Sequence, residues 1–348
     1  MTMTMTMTVE GTRMFQEAAA ASQAVRAQLN VDGEAIAAIG AQIRALAPRA
    51  VITCARGSSD HAATYAKYLI ETQTRVLTAS AAPSVSSVYG ITQDLNGCLF
   101  IAISQSGRSP DLLAAVAAAK TSGATILALC NSPDAPLVDA ADLFVDLRAG
   151  AETSVAATKS YLASLAALVR LVAAWTQDPK LQAQIESLPA LMEQSWALDW
   201  LPALPVLERA NSLYVVGRGL GLGAAQEIAL KCKETCGLHA EAFSSAEVKH
   251  GPYALLGENF PALLIAQRDA SLAGVESLAV ELVRRAVPVL TAGVAVPGAV
   301  VLPTLETAPE IAPILRAQSA YRLIASLAVR RGFDPDHPPH LRKVTETV

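Results

Sequence analysis

The sequence predicts an α/β protein made of two successive halves, each a parallel sheet flanked on both faces by helices in a flavodoxin-like αβα sandwich. Three observations carry this. Short apolar runs of strand length alternate with alanine- and leucine-rich stretches of helical spacing. The connections between them are short, which suits parallel strands joined through crossover helices. The order of runs then occurs a second time, as in an internal duplication, and 348 residues suffice for two domains of about 150 residues each.

Residues 1–10 open with a Met-Thr repeat that has neither the basic nor the apolar segment of a signal peptide, and a disordered tail is expected there. Residues 11–46 form a helical lead-in, with helices over 12–29 and 34–46. The first domain is expected over 47–176. Its first strand, 50–55, runs into Arg56-Gly57-Ser58-Ser59-Asp60 and a helix over 62–72. Further strands are predicted at 76–79, 98–103, 124–130 and 143–147.

Between strand 98–103 and the helix over 112–120 lies Ser104-Gln105-Ser106-Gly107-Arg108-Ser109-Pro110-Asp111. Ser109 suits an N-cap, and Pro110 the first helical position, where a missing N–H costs nothing. Unpaired N–H groups and the positive end of the helix dipole would then share a small volume with the hydroxyls of Ser104, Ser106 and Ser109, which fits a phosphate. Taken alone, the stretch fits an ordinary capped strand-to-helix turn equally well. Glu152-Thr153-Ser154-Val155-Ala156-Ala157-Thr158-Lys159-Ser160 is expected to open a long apolar helix reaching residue 175. Its hydroxyls too can be read as a polar first turn.

Residues 177–200 are expected to be a linker helix and 201–330 the second domain. Its strand 212–217 ends in Gly217-Arg218-Gly219, mirroring Arg56-Gly57, and strands at 261–266 and 287–292 match 98–103 and 124–130. Gln267-Arg268-Asp269-Ala270 stands where the first half has its serine-rich turn, so only the first half is expected to keep phosphate chemistry. The glycines at 217, 219, 221 and 223 lack dinucleotide-binding spacing and suit a close-packed turn. Residues 331–348 form a tail.

Lys and Arg total 27 against 31 Asp and Glu, so there is no electrostatic footprint for nucleic acid or an anionic membrane. A small-molecule partner is indicated. The uncharged stretch 286–305 is interrupted by three prolines and two glycines and reads as strands and turns instead of a membrane span. The five cysteines are odd in number and point to a reducing cytoplasm. Cys232 and Cys236 lack further ligands nearby, so packing is expected of them and no metal.

Several separated motifs in order identify a resemblance. They are Arg56-Gly57-Ser58-Ser59, the Ser104–Ser109 turn, Val155-Ala156-Ala157-Thr158-Lys159, Glu227-Ile228-Ala229-Leu230-Lys231-Cys232-Lys233-Glu234, Leu238-His239-Ala240-Glu241-Ala242, Val248-Lys249-His250-Gly251-Pro252 and Leu341-Arg342-Lys343. Together they resemble the sugar isomerase (SIS) family. The likeness is to the isomerase half of glutamine–fructose-6-phosphate aminotransferases and to stand-alone SIS-type amino-sugar-6-phosphate deaminases, and it covers nearly the whole chain after the first ten residues.

The resemblance implies two tandem SIS domains acting on a hexosamine 6-phosphate or fructose 6-phosphate, with no metal, nucleotide or redox cofactor. It implies phosphate binding by Ser104, Gln105, Ser106 and Ser109, with Ser59, Val155 and Thr158 near the sugar. It implies Glu234 as the base that moves a proton between C1 and C2, with Lys231 orienting it. His250 would open the ring, donated across a homodimer interface, and Lys343 would form a Schiff base with the open-chain ketose. The aminotransferases carry an N-terminal glutaminase domain, and a threonine-rich start is expected to leave the chain unable to draw ammonia from glutamine. That directs the reading toward glucosamine 6-phosphate deamination. Amination of fructose 6-phosphate with ammonia, deamination of galactosamine 6-phosphate and a non-catalytic sugar-phosphate sensor remain as alternatives.

The chemistry suits these residue types. Positions 231 and 234 share a helix face, and an isomerase needs a carboxylate beside a carbon acid. A lysine is a nucleophile only when partly neutral, which burial under a closing tail favours. Residue by residue, Glu234 and Lys231 also read as an exposed helix pair, His250 as a loop histidine and Lys343 as a solvated tail charge. Two positions depart from the family's pattern: Ala157 replaces a usual serine at the sugar end, and Ser109 a commoner threonine.

Overall fold

The computed structural model describes residues 7–31 and 33–343. It contains two five-stranded, wholly parallel sheets. The first is built from β1 (Ala50–Cys54), β2 (Thr78–Ser80), β3 (Cys98–Ser104), β4 (Thr125–Cys130) and β5 (Leu143–Asp146), in the order β2-β1-β3-β4-β5. The second is built from β6 (Ser212–Gly217), β7 (His239–Ser244), β8 (Ala262–Ile265), β9 (Val289–Ala292) and β10 (Val300–Leu302), in the order β10-β9-β8-β6-β7. Read from its other edge, the second order repeats the first, as the duplicated pattern predicts.

The chain divides into two compact units. One holds the first sheet and comprises 22–151 with 160–189. The other holds the second sheet and comprises 7–21, 152–159 and 190–343. In the first, β3 pairs with β1 and β4 on either side, and all seven of its residues are buried, which is why it reads as an unbroken apolar run. In the second, Tyr214, Val216, Leu264 and Val289 of the sheet pack against Leu278 and Leu282 of the helix Leu272–Arg284.

Several boundaries differ from expectation. Residues 9–11 form a 3-10 turn (Val9–Gly11), and Thr12 Oγ1 accepts a hydrogen bond from Phe15 N (3.3 Å) to cap the helix Arg13–Ala19, so residues 9 and 10 of the expected tail take regular structure instead. Residues 1–6 of that tail lie outside the described residues. The helix expected at 62–72 already starts at Ser58 and runs to Thr74. The helix expected from Glu152 begins only at Lys159, and 152–158 is a loop. The cause is local. The buried Glu152 carboxylate takes the N–H of Thr158 (3.0 Å), offering the backbone an alternative to a helical turn.

Candidate active site

In the unit of the first sheet, β3 delivers Ser104 to the carboxyl edge. The turn that follows is closed by Ser104 Oγ, which accepts from Gly107 N (2.9 Å), and by Gly107 O, which accepts from Leu137 N (3.2 Å). Gly107 has φ 64°, and a Cβ there would stand 2.6 Å from the Ala135 Cβ, so the turn requires glycine. Gln105, Ser106 and Ser109 are half-buried around it. Ser109 occupies the N-cap position of the helix Pro110–Thr121, yet its side chain makes no capping bond, contrary to expectation. The first turn is held instead by Asp111, 2 % exposed, whose Oδ2 accepts from Arg56 Nε (2.7 Å). That ion pair ties the end of β1 to the helix after β3. Ser59, in the first turn of the helix Ser58–Thr74, therefore lies at the carboxyl end of the strand next to the Ser104 turn, where the sheet order reverses and α/β proteins bind ligands.

The other unit holds a chain of buried charges. On the helix Gly221–Cys236, Lys231 is 1 % exposed and lies between Glu227 and Glu234. Its Nζ is 3.5 Å from Glu227 Oε1 and hydrogen-bonded to Glu234 Oε2. Burial works against the ammonium, but the carboxylates of Glu227 and Glu234 outweigh it and raise the Lys231 pKa, so Lys231 is a cation at neutral pH. Glu227, 0 % exposed, also accepts from Tyr321 OH (2.9 Å) on the helix Ala312–Arg330. Glu234 is 20 % exposed, so this carboxylate, fixed from behind by Lys231, can meet a ligand.

Lys343 reaches the 152–158 loop. Its Nζ donates to Ser154 O (2.7 Å) and lies 3.2 Å from Glu152 Oε2. Glu152 adds to the field that raises Lys231, so the two lysines share one carboxylate neighbourhood. Val155 is half-buried in this loop, while Thr158 is wholly buried, its hydroxyl lacking a partner among the described residues. From the other side Glu17 of the helix Arg13–Ala19 accepts from Thr153 N (2.5 Å) and Ser154 N (3.2 Å). His250 is not joined to this cluster. It follows the 3-10 turn Glu247–Lys249 with an exposed side chain, and among the described residues only its backbone N–H is engaged, by Glu247 O (2.9 Å).

Sequence reasoning missed Glu152, Glu227, Tyr321 and Glu17. Glu227 carried a readable signal, standing four residues before Lys231 on the same helix face. Tyr321 and Glu17 carried none, since their partners are remote in sequence. Cys232 and Cys236 are buried, and burial pushes the Cys236 thiol up to about 12, as befits packing residues.

A duplicated parallel α/β fold with a serine-lined turn in one half and a buried Lys–Glu pair in the other defines a protein of the sugar-isomerase class. The family model for the SIS domain matches residues 47–174 and 206–293, and the chain belongs to that family. It is 34 % identical over 320 residues to a glutamine–fructose-6-phosphate aminotransferase of Pyrobaculum aerophilum, covering 87 % of this chain and 52 % of the relative. The chain thus spans about half the length of the curated relatives it matches. Among solved structures, a candidate phosphosugar isomerase from Silicibacter pomeroyi superimposes with a TM-score of 0.90 at 37 % identity, over 93 % of this chain and 100 % of that one. The C-terminal domain of glucosamine-fructose-6-phosphate aminotransferase from Francisella tularensis gives 0.85 at 25 % identity, over 94 % and 98 %.

Proposed function

We propose that this chain converts glucosamine 6-phosphate and water into fructose 6-phosphate and ammonia. The observation that carries the reading is Glu234, a partly exposed carboxylate held by a buried, protonated Lys231. Similarity to aminotransferase isomerase halves over most of the chain supports an amino-sugar phosphate as substrate. In this mechanism Ser104, Gln105, Ser106 and Ser109 hold the phosphate, with Ser59, Val155 and Thr158 near the sugar. His250, supplied by a neighbouring protomer, opens the ring. Glu234 takes the proton from C2 of the open-chain amino aldose and returns it to C1, leaving an iminium at C2. Lys343 attacks that carbon and expels ammonia; water then hydrolyses the lysine imine and frees the ketose. Its ion pair with Glu152 must first break with the ammonium proton left on that carboxylate, because a protonated lysine has no lone pair to offer. With water in vast excess over free ammonia, mass action favours the hydrolytic direction, and amination is the same path reversed.

Ammonia and ketose phosphate should be measured on purified protein given glucosamine 6-phosphate, with galactosamine 6-phosphate in parallel. Equal amounts of both products from the gluco sugar are expected. Binding of the sugars without ammonia release from either would replace this reading with that of a sugar-phosphate sensor.

A further inference from the structure

Each half places an arginine within two residues of the end of the strand that opens its sheet, Arg56 after β1 and Arg218 after β6. Arg56 is neutralised by Asp111, the second residue of the helix that follows β3. The corresponding helix in the second half, Leu272–Arg284, follows β8, and its second residue is Ala273, so that carboxylate is missing. Arg218 lies beside this helix start all the same. A Cβ on Gly274, in the first turn, would stand 4.0 Å from Arg218 Nη1 and 3.8 Å from Ser245 Oγ. The Arg218 side chain is exposed and makes no hydrogen bond or ion pair among the described residues. Ser245, just past β7, is only 3 % exposed, and its hydroxyl has no partner among the described residues.

The backbone adds donors. Leu272 N is taken by Asp269 O (3.2 Å) and Val275 N by Ser271 O (3.4 Å), while the N–H groups between them, on Ala273 and Gly274, have no such acceptor. The nearby carboxylate, Asp269, is used within its own turn: Oδ1 accepts from Ser271 N (2.8 Å) and Oδ2 from Gln267 Nε2 (2.9 Å). A free guanidinium, a buried hydroxyl with an unused proton and the positive end of a 13-residue helix therefore converge on the space that the glycine leaves open. This is the carboxyl edge of β6 and β8, where the second sheet reverses its strand order.

We propose that the second half carries its own anion site, formed by Arg218, Ser245 Oγ and the N–H groups of Ala273 and Gly274, and that it binds a phosphate group. The ligand is inorganic phosphate or the phosphate of a small ester. The expectation that only the first half keeps phosphate chemistry is thereby revised: the second half reaches it with different residues. The site shares no residue with the proposed catalytic set.

The test is calorimetric titration of the full chain with inorganic phosphate and, separately, with glucosamine 6-phosphate. Two phosphate sites per chain are expected. The Ser104→Ala/Ser106→Ala variant should keep one of them, and adding Arg218→Ala should weaken it by about tenfold or more through loss of a charge-assisted hydrogen bond. Gly274→Ala fills the space with a good helix former and should remove the second site while the fold is kept. Competition by glucosamine 6-phosphate at the site left in Ser104→Ala/Ser106→Ala would assign it to the ester, and its absence to free phosphate. A single site abolished by Ser104→Ala/Ser106→Ala, or a second site indifferent to Arg218→Ala and Gly274→Ala, would overturn the proposal.

Discussion

Replacing Lys231 with methionine would take the cation away from between Glu227 and Glu234 while keeping much of the side-chain volume. Both Lys231 and Glu227 are out of water, at 1 % and 0 % exposed. The substitution leaves a buried carboxylate facing an apolar thioether at a site built for an ammonium 3.5 Å away. Breaking one side of a buried pair costs about 3–5 kcal/mol. At roughly 2–4 °C per kcal/mol, a fall in Tm of about 6–20 °C follows, seen by calorimetry or circular dichroism. The double variant Glu227→Gln/Lys231→Met, neutral on both sides, should recover most of the loss, and that non-additivity is the signature of direct coupling. Because the folded-state pKa of Lys231 is raised above the ordinary 10.5, its contribution is complete below pH 10.5 and fades only as the pH climbs through the raised value. In the parent, the stability that Lys231 contributes should therefore not vary across neutral pH. A Lys231→Met protein as stable as the parent, or a double variant no better than the single one, would refute the reasoning.

Other outcomes follow from the same geometry. Lys343→Ala should abolish ammonia release while leaving sugar-phosphate binding within about twofold, because the lysine contacts the 152–158 loop and not the serine turn; unchanged turnover would remove its role. Glu234→Gln and His250→Asn should each be inactive alone, but mixed and reassociated protomers should regain about a quarter of parental activity if His250 acts across a two-fold interface. No recovery would return His250 to its own protomer's site. Arg316, only 5 % exposed and with no partner for its Nε among the described residues, has its pKa pushed down to about 10 by burial. A base with a depressed folded-state pKa destabilises at neutral pH, and the penalty fades as pH rises from about 10 toward 12.5. Arg316→Met should therefore raise stability at pH 7 by about 1–3 kcal/mol, and a lower Tm would show that the guanidinium is paired in solution.

What could be read from the sequence was whatever rests on local pattern. The run from Cys98 to Ser104 announces a central strand because both its faces are buried, and the doubled order of such runs announces two sheets. Lys231 and Glu234 could be placed on one face because a helix turn is a fixed geometry. The 152–158 loop was misread as helix because its alanines and following apolar run favour one, and the bond from Thr158 N to the buried Glu152 carboxylate that overrides them leaves no local mark. The bond from Tyr321 to Glu227 crosses 94 residues and exists only because two helices meet. Spacing rules cannot find it. The Ser109 cap failed for a related reason: Arg56, 55 residues upstream of Asp111, fixes the helix start that the serine was expected to fix.

The most direct test of the central claim, that Glu234 moves a proton between C1 and C2, is proton NMR of fructose 6-phosphate incubated with the protein in D2O without ammonia. The parent should introduce deuterium at C1, and Glu234→Gln, though it still binds the sugar phosphate, should slow that exchange by about 10²-fold or more. Exchange persisting at the parental rate in Glu234→Gln would place the base elsewhere, and a parent that exchanges nothing would contradict the account.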